Sequence, residues 1–514
     1  MTKHKRRIAI LSVIIVAFLA LLPLVNYSIE RKIENYISNL PDHFIIHIED
    51  IKVNLLSRKI DFINVNLTLL GKTDKSVNAE IVLDYATFKG FSFWDILFNN
   101  TITVNKLVIT HPQINYQQSE GNAEKNTSKN RRQAKLNLFK IHHFEIVEGE
   151  IEMCNTSNAS TLLHVKPFNL KLDNVTHQFS TFKNIPVSFN DYNLNAQSIF
   201  INAGVYETLE VDTLLLNTQT ALMKSLVFKT KYSKYELSKQ LKNERDHFHF
   251  TVDSLTFSGL DFGFKTDTTL TFKTEKIKLF KPELAMFRDK RVNDDYKEKP
   301  LYSKMLRDLN FNMGLDNISI IDGKIIYEEK IKQDAQTGRL VFKSLNSEIK
   351  NIGNIYKDSI ETTIETEAFF MKNAPLKAYW AFNVNDKNDH FTFKGELGQL
   401  NASTLNSFTE PNTAIRLEGQ LNKTYFTIDG NRHTAKVDLK INYDAFSVII
   451  LKDGEHKKNK LLSAIANIFI SKNSYNKTDN FLSGEKEAVQ RDKTKSIFNF
   501  LWLNLKQALR DAMT

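Results

Sequence analysis

The chain has 514 residues, of which 42% are hydrophobic and 25% charged, a composition typical of a folded protein that excludes a largely disordered one. Its 37 Phe and 16 Tyr against only 8 Met favour β-strands over helices. The single cysteine, Cys154, excludes both an intramolecular disulfide framework and a cysteine-based zinc site.

The net charge of +10 is carried mainly by the two ends of the chain. Residues 1–7 contribute +4. Residues 452–514 hold 12 Lys and Arg against 7 Asp and Glu and contribute +5, which leaves +1 for the body between them. A nucleic-acid-binding protein needs a basic face with interleaved aromatic residues on its folded body. The charge distribution therefore argues against nucleic acid as a partner.

Residues 1–25 predict a cytoplasmic tail and a membrane anchor. Four basic residues precede an uncharged apolar run of 18 residues, 8–25, which is just long enough to span the hydrocarbon core of a bilayer. The basic residues are expected to stay in the cytoplasm, so the rest of the chain would lie across the membrane. The alternative is a cleaved signal peptide, but Phe18 stands where the A-x-A cleavage site needs a small residue before Ala20. We therefore prefer an uncleaved anchor.

Residues 26–41 predict an amphipathic helix that ends at Pro41. We interpret it as a helix that covers the first strands rather than an independent membrane-surface helix. Its apolar stripe is Ile29, Ile33, Tyr36, Ile37 and Leu40.

A unit of the form apolar–x–apolar–x–x–apolar–x–apolar recurs along the body of the chain. Each arm alternates in polarity and predicts a strand with one apolar and one polar face. The doubled x would turn the second arm to the wrong face of a regular strand, and a one-residue β-bulge there restores the facing. The copies begin at Ile46, Ile60, Ile102, Phe139 and Leu255, with a near-copy at Phe311.

Two stretches share a longer pattern. IHHFEIVEGEIEM (residues 141–153) and GLDNISIIDGKIIY (residues 314–327) align with Phe144 over Ile318 and Gly149 over Gly323. Pro112 holds the place of these glycines in another copy. We interpret all three positions as turns into the next strand.

The strand units predict a mostly β fold, an elongated, curled antiparallel sheet that forms a groove, with an N-terminal transmembrane helix and C-terminal amphipathic helices. An all-β sandwich would repeat in compact units of about 100 residues, whereas strand patterns here run from residue 44 to about residue 450. The predicted segments are 1–25 (tail and anchor), 26–41 (amphipathic helix), 42–280 (first β-groove region, with a flexible loop at 117–135), 281–308 (polar or helical linker), 309–451 (second β-groove region) and 452–514 (basic C-terminal helices).

Residues 461–470 predict an apolar helix, and an amphipathic helix follows near the C-terminus. Trp and Phe on its apolar stripe suit a membrane interface. Docking of the same stripe against the sheet is the alternative, because amphipathic helices usually face a core. The candidates for the membrane interface are Phe498, Leu501, Trp502, Leu505 and Leu509.

The basic N-terminus, the single predicted membrane helix, the short amphipathic helix and the repeated strand units together resemble the AsmA-like proteins of Gram-negative envelopes. GELGQLNASTLNSFTEPNTAIRLEGQLNKTYFTIDGN (residues 395–431), with its Leu-Asn landmark before Gly-containing alternating strands, resembles the later domain of that family. Members of the family resemble eukaryotic bridge-like lipid-transfer proteins, whose curled sheets form a hydrophobic groove for acyl chains. The resemblance covers nearly the whole chain.

The resemblance implies a single-pass inner-membrane protein with a cytoplasmic N-terminus and most of the chain in the periplasm. It implies a part in phospholipid transport or outer-membrane lipid homeostasis, with phospholipid, the inner membrane and an outer-membrane or periplasmic protein as partners. We expect the groove to be lined by the apolar positions of the repeat. These candidates are Phe139, Ile141, Phe144, Ile146, Ile151, Leu255, Phe257, Leu260, Phe262, Ile318, Ile320 and Ile325.

The main alternative is a scaffold for outer-membrane assembly that conducts no lipid, its interior filled by side chains such as Phe139, Phe144, Phe262 and Phe264. An enzyme is not expected, because H-E-x-x-H, G-x-S-x-G, the P-loop and G-x-G-x-x-G motifs are all missing. No cofactor or metal is expected either. His142 and His143 are adjacent strand residues on opposite faces, and no third ligand accompanies His247 and His249.

Overall fold

The computed structural model describes residues 43–71, 76–92, 101–118, 138–178, 188–264, 269–451 and 480–513, with six further residues between 23 and 34. The predicted anchor (apart from Pro23), the predicted apolar helix at 461–470 and residues 119–135 of the predicted loop lie outside the described residues, as do the side chains of Phe139 and Phe264. No helix among the described residues is long and apolar enough to cross a membrane.

The described chain is mostly β, and its 23 strands belong to one mixed, mainly antiparallel sheet. The strands are β1 (Phe44–Asn54), β2 (Lys59–Leu70), β3 (Val77–Lys89), β4 (Thr101–Thr110), β5 (Gln113–Gln118), β6 (Leu138–Asn155), β7 (Thr161–Gln178), β8 (Tyr192–Asn202), β9 (Glu207–Asn217), β10 (Thr220–Thr230), β11 (His247–Ser258), β12 (Asp261–Phe264), β13 (Leu270–Phe280), β14 (Glu283–Asp289), β15 (Asn312–Lys330), β16 (Gly338–Gly353), β17 (Thr362–Phe370), β18 (Ala374–Phe382), β19 (Phe391–Leu397), β20 (Leu400–Asn401), β21 (Ile415–Gly430), β22 (Thr434–Ile450) and β23 (Leu482–Gln490).

Helices are few in the described part of the chain. They are α1 (Lys234–Gln240), α2 (Tyr302–Arg307), the 3-10 helix Ala402–Leu405, α3 (Asn406–Thr413) and α4 (Ile497–Met513). The chain divides into two compact units. Unit 1 comprises residues 1–203 and 210–218, and unit 2 comprises residues 204–209 and 219–514.

Each unit contains the same strand module. In module 1 (β2–β7), the collinear strands β4 and β5 run parallel to the long strand β6, which pairs antiparallel with β7. In module 2 (β10–β16), β13 and β14 run parallel to β15, which pairs antiparallel with β16. The sheet is therefore mainly antiparallel, as predicted, and parallel at these pairs, which the sequence did not predict. Parallel neighbours need a crossover connection of about a dozen residues or more, and the predicted loop at 117–135 and the predicted linker at 281–308 both fall around these crossovers.

At the doubled x of the sequence unit, neighbouring strands each carry one residue that is left out of the pairing. We call the line that these residues form across the sheet a crease. In module 1 the first crease contains Asn105 on β4, His142 on β6 and Asn174 on β7. Val104 pairs with Ile141 before it, and Lys106 pairs with His143 after it, so the strands stay in register. Because each strand carries its extra residue at the same place, the apolar residues on both sides of the crease face the same way. The predicted restoration of the facing is confirmed, but the predicted one-residue β-bulge was wrong, because paired strands carry the extra residue together and the register does not shift there. Module 2 repeats this crease at Glu275, Asp316 and Asn351.

A second crease lies beside Pro112, Gly149 and Gly323, the positions at which the sequence predicted turns. His111 adopts a positive φ of 49° in module 1, and Lys281 adopts one of 47° in module 2. The backbone N–H of His111 donates to the Val147 carbonyl at 2.9 Å, and that of Lys281 donates to the Ile321 carbonyl at 2.8 Å. The chain continues in the same direction past this crease in both modules.

Gly149 and Gly323 lie inside β6 and β15 beside this second crease, so the prediction of turns at these glycines was wrong. The reason at Gly149 is a close approach across the ladder: a Cβ there would lie 2.6 Å from Cζ of Phe168 on β7. The glycine therefore makes room for an aromatic ring that the local sequence does not reveal.

The main core of unit 2 lies between the apolar face of strands β18–β23 and helix α4. On the helix, Phe500 is 1% exposed and Asn504 is 0% exposed. A Cβ at Gly484 on β23 would lie 2.1 Å from the Ala508 carbonyl oxygen, so the glycine permits the close contact between strand and helix. The helix turns Phe500 and Asn504 inward and Phe498 and Trp502 outward.

Candidate functional site

An apolar face extends across seven strands of unit 1. At its centre, each strand contributes one apolar residue that pairs with the next across the ladder. Every one of these side chains is partly exposed, neither buried nor fully open to solvent. Seven strands at about 4.8 Å spacing make this row roughly 29 Å long. The row consists of Ile51, Phe62, Ala86, Ile109, Ile146, Leu170 and Leu194.

Two further rows run beside the first. One is more enclosed, because it adjoins a small buried cluster formed around Val104, Ile141 and Val175. It consists of Val53, Ile60, Phe88, Leu107, Phe144, Leu172 and Tyr192. The other consists of the partly exposed residues Ile46, Leu67, Ile81, Ile114, Ile151 and Val165.

No helix in the described part of the chain makes an extended packing contact with strands β1–β8. Among the described residues, no helix therefore covers the apolar rows of unit 1 in the way that α4 covers the core of unit 2. Contiguous apolar surfaces larger than a few hundred Å² are rare on soluble proteins and mark sites of interaction with protein, membrane or ligand.

The opposite face of the same strands is charged. Lys106 Nζ lies 2.7 Å from a carboxylate oxygen of Glu145, and His143 Nδ1 lies 2.8 Å from Asp173. The first pair is partly exposed and the second is exposed, and such pairs contribute little to stability. Their role is to keep this face in water, so the sheet of unit 1 has one wet side and one apolar side.

The second crease of module 1 carries a histidine between two carboxylates. His111 Nδ1 lies 2.7 Å from Asp84 and its Nε2 lies 3.1 Å from Glu148. The hydrogen bond to Asp84, with a smaller contribution from Glu148, raises the pKa of His111 above its ordinary value. The protonated imidazolium, which donates from both nitrogens, fits this arrangement. In module 2 the same position holds Lys281.

The predicted groove residues of unit 1 lie together. Ile141, Phe144, Ile146 and Ile151 share the apolar face of β6, while the side chain of Phe139 lies outside the described residues. Ile141 is buried and the other three are partly exposed. The sequence reasoning missed their neighbours on β3 and β7, such as Leu170 and Leu172, although β7 carries the same doubled x between Leu172 and Val175. The repeated unit was therefore the signal that could have identified them.

The predicted groove residues of unit 2 lie on the equivalent face of module 2. Leu260 is buried and Phe262 is 46% exposed. Ile320 pairs across the ladder with Ser347, so the row that contains Ile320 becomes polar at the next strand. The Ser347 hydroxyl donates a hydrogen bond to the Glu365 carbonyl. Phe257 and Ile318 belong to a row that continues into the core under α4. That row is Ala221, Phe257, Ile277, Ile318, Ile349, Ile364, Trp380, Phe393, Ile428 and Val437.

The remaining groove candidates follow the same face. Leu255 pairs with Met223 and Leu279, in the row that contains Ile320. Ile325 lies between Leu284 and Phe342, in a row where the rings of Phe342 and Phe370 are 5.0 Å apart.

The candidate membrane-interface residues of α4 divide between two faces of the helix. Phe498 and Trp502 are exposed, at 60% and 57%. Leu501 is buried against the sheet, and Leu505 and Leu509 are partly buried at its margin. One face of α4 therefore packs against the sheet, and another face exposes aromatic side chains.

A cleft of about 1100 Å³ lies against strands β15–β23 of unit 2. Of the predicted groove residues only Ile320 lines it, and most of its lining residues are polar, among them Glu365, Lys377, Tyr379 and Lys394. Lys377 Nζ pairs with Glu367 at 2.7 Å, as in an ordinary solvated face of an antiparallel sheet. This cleft is chemically unlike the apolar rows and does not suit acyl chains.

Within the described ranges, no group of three or more His, Cys, Asp or Glu side chains is arranged to hold a metal ion. His247 instead has its Nε2 2.9 Å from the Tyr232 carbonyl, and burial lowers its pKa. Comparison with known proteins gives no relative from which a role could be transferred, because no family model, no curated protein and no solved structure matches this chain.

Proposed function

We propose that the apolar face of unit 1 holds lipid acyl chains. The protein would be anchored in the inner membrane by residues 8–25, with most of the chain in the periplasm, and would take part in phospholipid transport or outer-membrane lipid homeostasis. One observation carries the proposal: three continuous rows of apolar side chains cross the strands of unit 1, and most of these side chains are partly exposed.

Acyl chains are the ligand that such a surface favours. Covering it with hydrocarbon gains about 0.8 kcal/mol per buried methylene, and this gain is not directional. A lipid can therefore shift along the rows without breaking a specific contact. The charged face, with ion pairs such as Lys106–Glu145, stays in water. No catalytic residue is needed for this activity, and we do not propose an enzyme.

The proposal takes the sheet as an elongated, curled groove, which is the form that the resemblance to AsmA-like proteins implies. Module 2 repeats the creases of module 1, and this repetition supports a surface that continues along the chain. An outer-membrane or periplasmic protein would receive or supply the lipid at the far end.

A scaffold for outer-membrane assembly is the second candidate. The observation that favours it is the core beneath α4, where the protein fills its own apolar face with Trp380, Tyr443 and Phe500. If residues outside the described ranges fill the face of unit 1 in the same way, no lipid would enter.

Photo-crosslinking in intact cells tests the proposal. A photoreactive residue replaces Ile146 on the apolar face, and the matched control replaces Glu145, its neighbour on the charged face. A second pair is Ile318 with the exposed Asn317 as its control. We expect phospholipid adducts at Ile146 and Ile318 and none at the controls, with mass spectrometry identifying the lipid. Adducts only to protein at all four positions would reject the lipid groove and favour the scaffold.

A further inference from the structure

Helix α4 presents an exposed stripe, of which Phe498 also contacts the core through Trp380. Phe498 and Trp502 are 60% and 57% exposed, and Lys506 and Arg510 are also exposed. The four residues follow one another at a spacing of four, so they lie along one face of the helix. The stripe is aromatic towards its N-terminal end and cationic towards its C-terminal end.

Helix α2 extends the aromatic part of this stripe. The ring of the buried Trp380 lies 5.5 Å from the ring of Tyr302 and 6.4 Å from that of Phe498. Tyr302 and Met305 on α2 are 37% and 50% exposed. Phe498, Trp502, Tyr302 and Met305, together with Lys506 and Arg510, form what we call the aromatic-basic patch.

Both helices are held firmly in place. Arg307 of α2 donates to the buried carboxylate of Asp389 at 2.8 Å, and Ser303 donates to the same oxygen at 2.9 Å. At the end of α4, Asp511 accepts a hydrogen bond from the Glu485 backbone N–H at 2.9 Å. Just before α4, Lys495 pairs with Asp294 at 2.8 Å. The patch is therefore presented in a fixed geometry, which lowers the entropy lost on binding.

We propose that the aromatic-basic patch docks onto the surface of a bilayer that contains anionic phospholipid. Trp and Tyr combine an apolar ring with a polar group and so suit the boundary between acyl chains and head groups. Lys506 and Arg510 complement anionic head groups, which is the charge match that favours a bilayer over an uncharged protein groove. The inference rests on the proposed function, in that it supplies a membrane contact for a lipid-handling protein.

Vesicle capture by the full-length protein tests this inference. The protein is held in nanodiscs and offered fluorescent vesicles of phosphatidylcholine, with or without phosphatidylglycerol. We expect Trp502→Ser alone to weaken capture several-fold, and Phe498→Ser with Trp502→Ser to weaken it by about 10-fold. Lys506→Glu with Arg510→Glu is expected to abolish the preference for phosphatidylglycerol. The matched control is Tyr235→Ser, which removes a 62% exposed aromatic residue from α1 and should leave capture unchanged.

Unchanged capture in the two aromatic variants, with an unchanged preference for phosphatidylglycerol in the Lys506/Arg510 variant, would overturn the inference, as would an equal loss in the Tyr235→Ser control. Thermal unfolding of each variant identifies loss of capture that follows from loss of folding, and Trp502→Ser keeps the contact between Phe498 and Trp380. The outcome is separable from that of the lipid groove. Lost capture with lipid adducts retained at Ile146 supports the patch independently, whereas retained capture in the patch variants rejects the patch and leaves the groove standing.

Discussion

The apolar face of unit 1 and the apolar face of strands β18–β23 in unit 2 are built by the same alternation of residues, yet their side chains differ in exposure. Under α4, Ile428, Val437, Ile441 and Tyr443 are all 0% exposed. In unit 1, Ile146 and its row partners remain partly exposed, and no described helix packs on them. Alternation decides which residues share a face. Whether the face becomes a core or a binding surface depends on the segment that covers it.

A second difference separates the two modules at the same place in the fold. Module 1 holds a titratable His111 between Asp84 and Glu148 at its second crease, whereas module 2 holds Lys281 there. The backbone adopts the same positive φ at this place in both modules, but only module 1 has a histidine there.

Removing a large side chain from the closed face should have the largest effect. Phe500→Ala is expected to destabilise the core under α4 by about 3–5 kcal/mol, because it leaves a cavity in a site that cannot collapse. Hydrogen exchange of the β22 amides measures this. Trp502, two residues after Phe500, is exposed, so Trp502→Ala should change the stability of this core by about 0.5 kcal/mol or less. Similar losses for the two variants would mean that α4 does not close this face.

The second-largest loss of stability is expected from a substitution that obstructs the contact between β23 and α4. Gly484→Val places a Cβ against the Ala508 carbonyl oxygen, 2.1 Å away, and neither backbone can yield easily. We expect a loss of about 3 kcal/mol and increased binding of an apolar dye. Ser483→Val, on the opposite face of β23, is the control and should bind no additional dye. A Gly484→Val protein that packs as tightly as the unsubstituted protein would contradict the close contact between α4 and β23.

Truncation on the open face should cost less. Ile146→Ala is expected to destabilise lipid-free protein by about 1–2 kcal/mol, because its side chain is only partly removed from water. Ile428→Ala, at 0% exposed, should cost about 4 kcal/mol in the same hydrogen-exchange experiment. Equal costs in lipid-free protein would show that the face of unit 1 is covered by protein.

The smallest effect concerns pH and module 1 alone. The hydrogen bonds to Asp84 and Glu148 raise the folded-state pKa of His111. Its contribution to stability is therefore fully present below the unfolded pKa of about 6.5 and is lost as the pH rises through the folded value. Hydrogen exchange of β4 and β6 amides should quicken modestly over that range, while β13 and β15 should show no such step.

His111→Lys copies the residue of module 2 and should remove the step from module 1. Persistence of the step in this variant would assign it to another group.

Much of the strand pattern could be predicted from the sequence, and the doubled x correctly indicated that both arms face the same way. The prediction erred at Gly149 because the ring of Phe168 that crosses it lies on another strand. The sequence left open whether α4 docks against the sheet or faces a membrane, because only the surface beneath the helix distinguishes its inward residues from its outward ones. The parallel pairs β4–β6 and β13–β15 could not be predicted, since pairing partners leave no mark in local alternation.

What the sequence determined by itself was the facing of residues along each strand, because the two-residue period of a strand is a local property of the backbone. The tertiary structure alone decided which apolar face is closed. Residues 497–513 pack on β22 and β23 and reach Trp380 and Phe391, more than a hundred positions earlier in the chain, while the rows of unit 1 receive no described helix. Burial depends on such distant contacts, and the same alternation therefore yields a core in one region and a candidate lipid surface in the other.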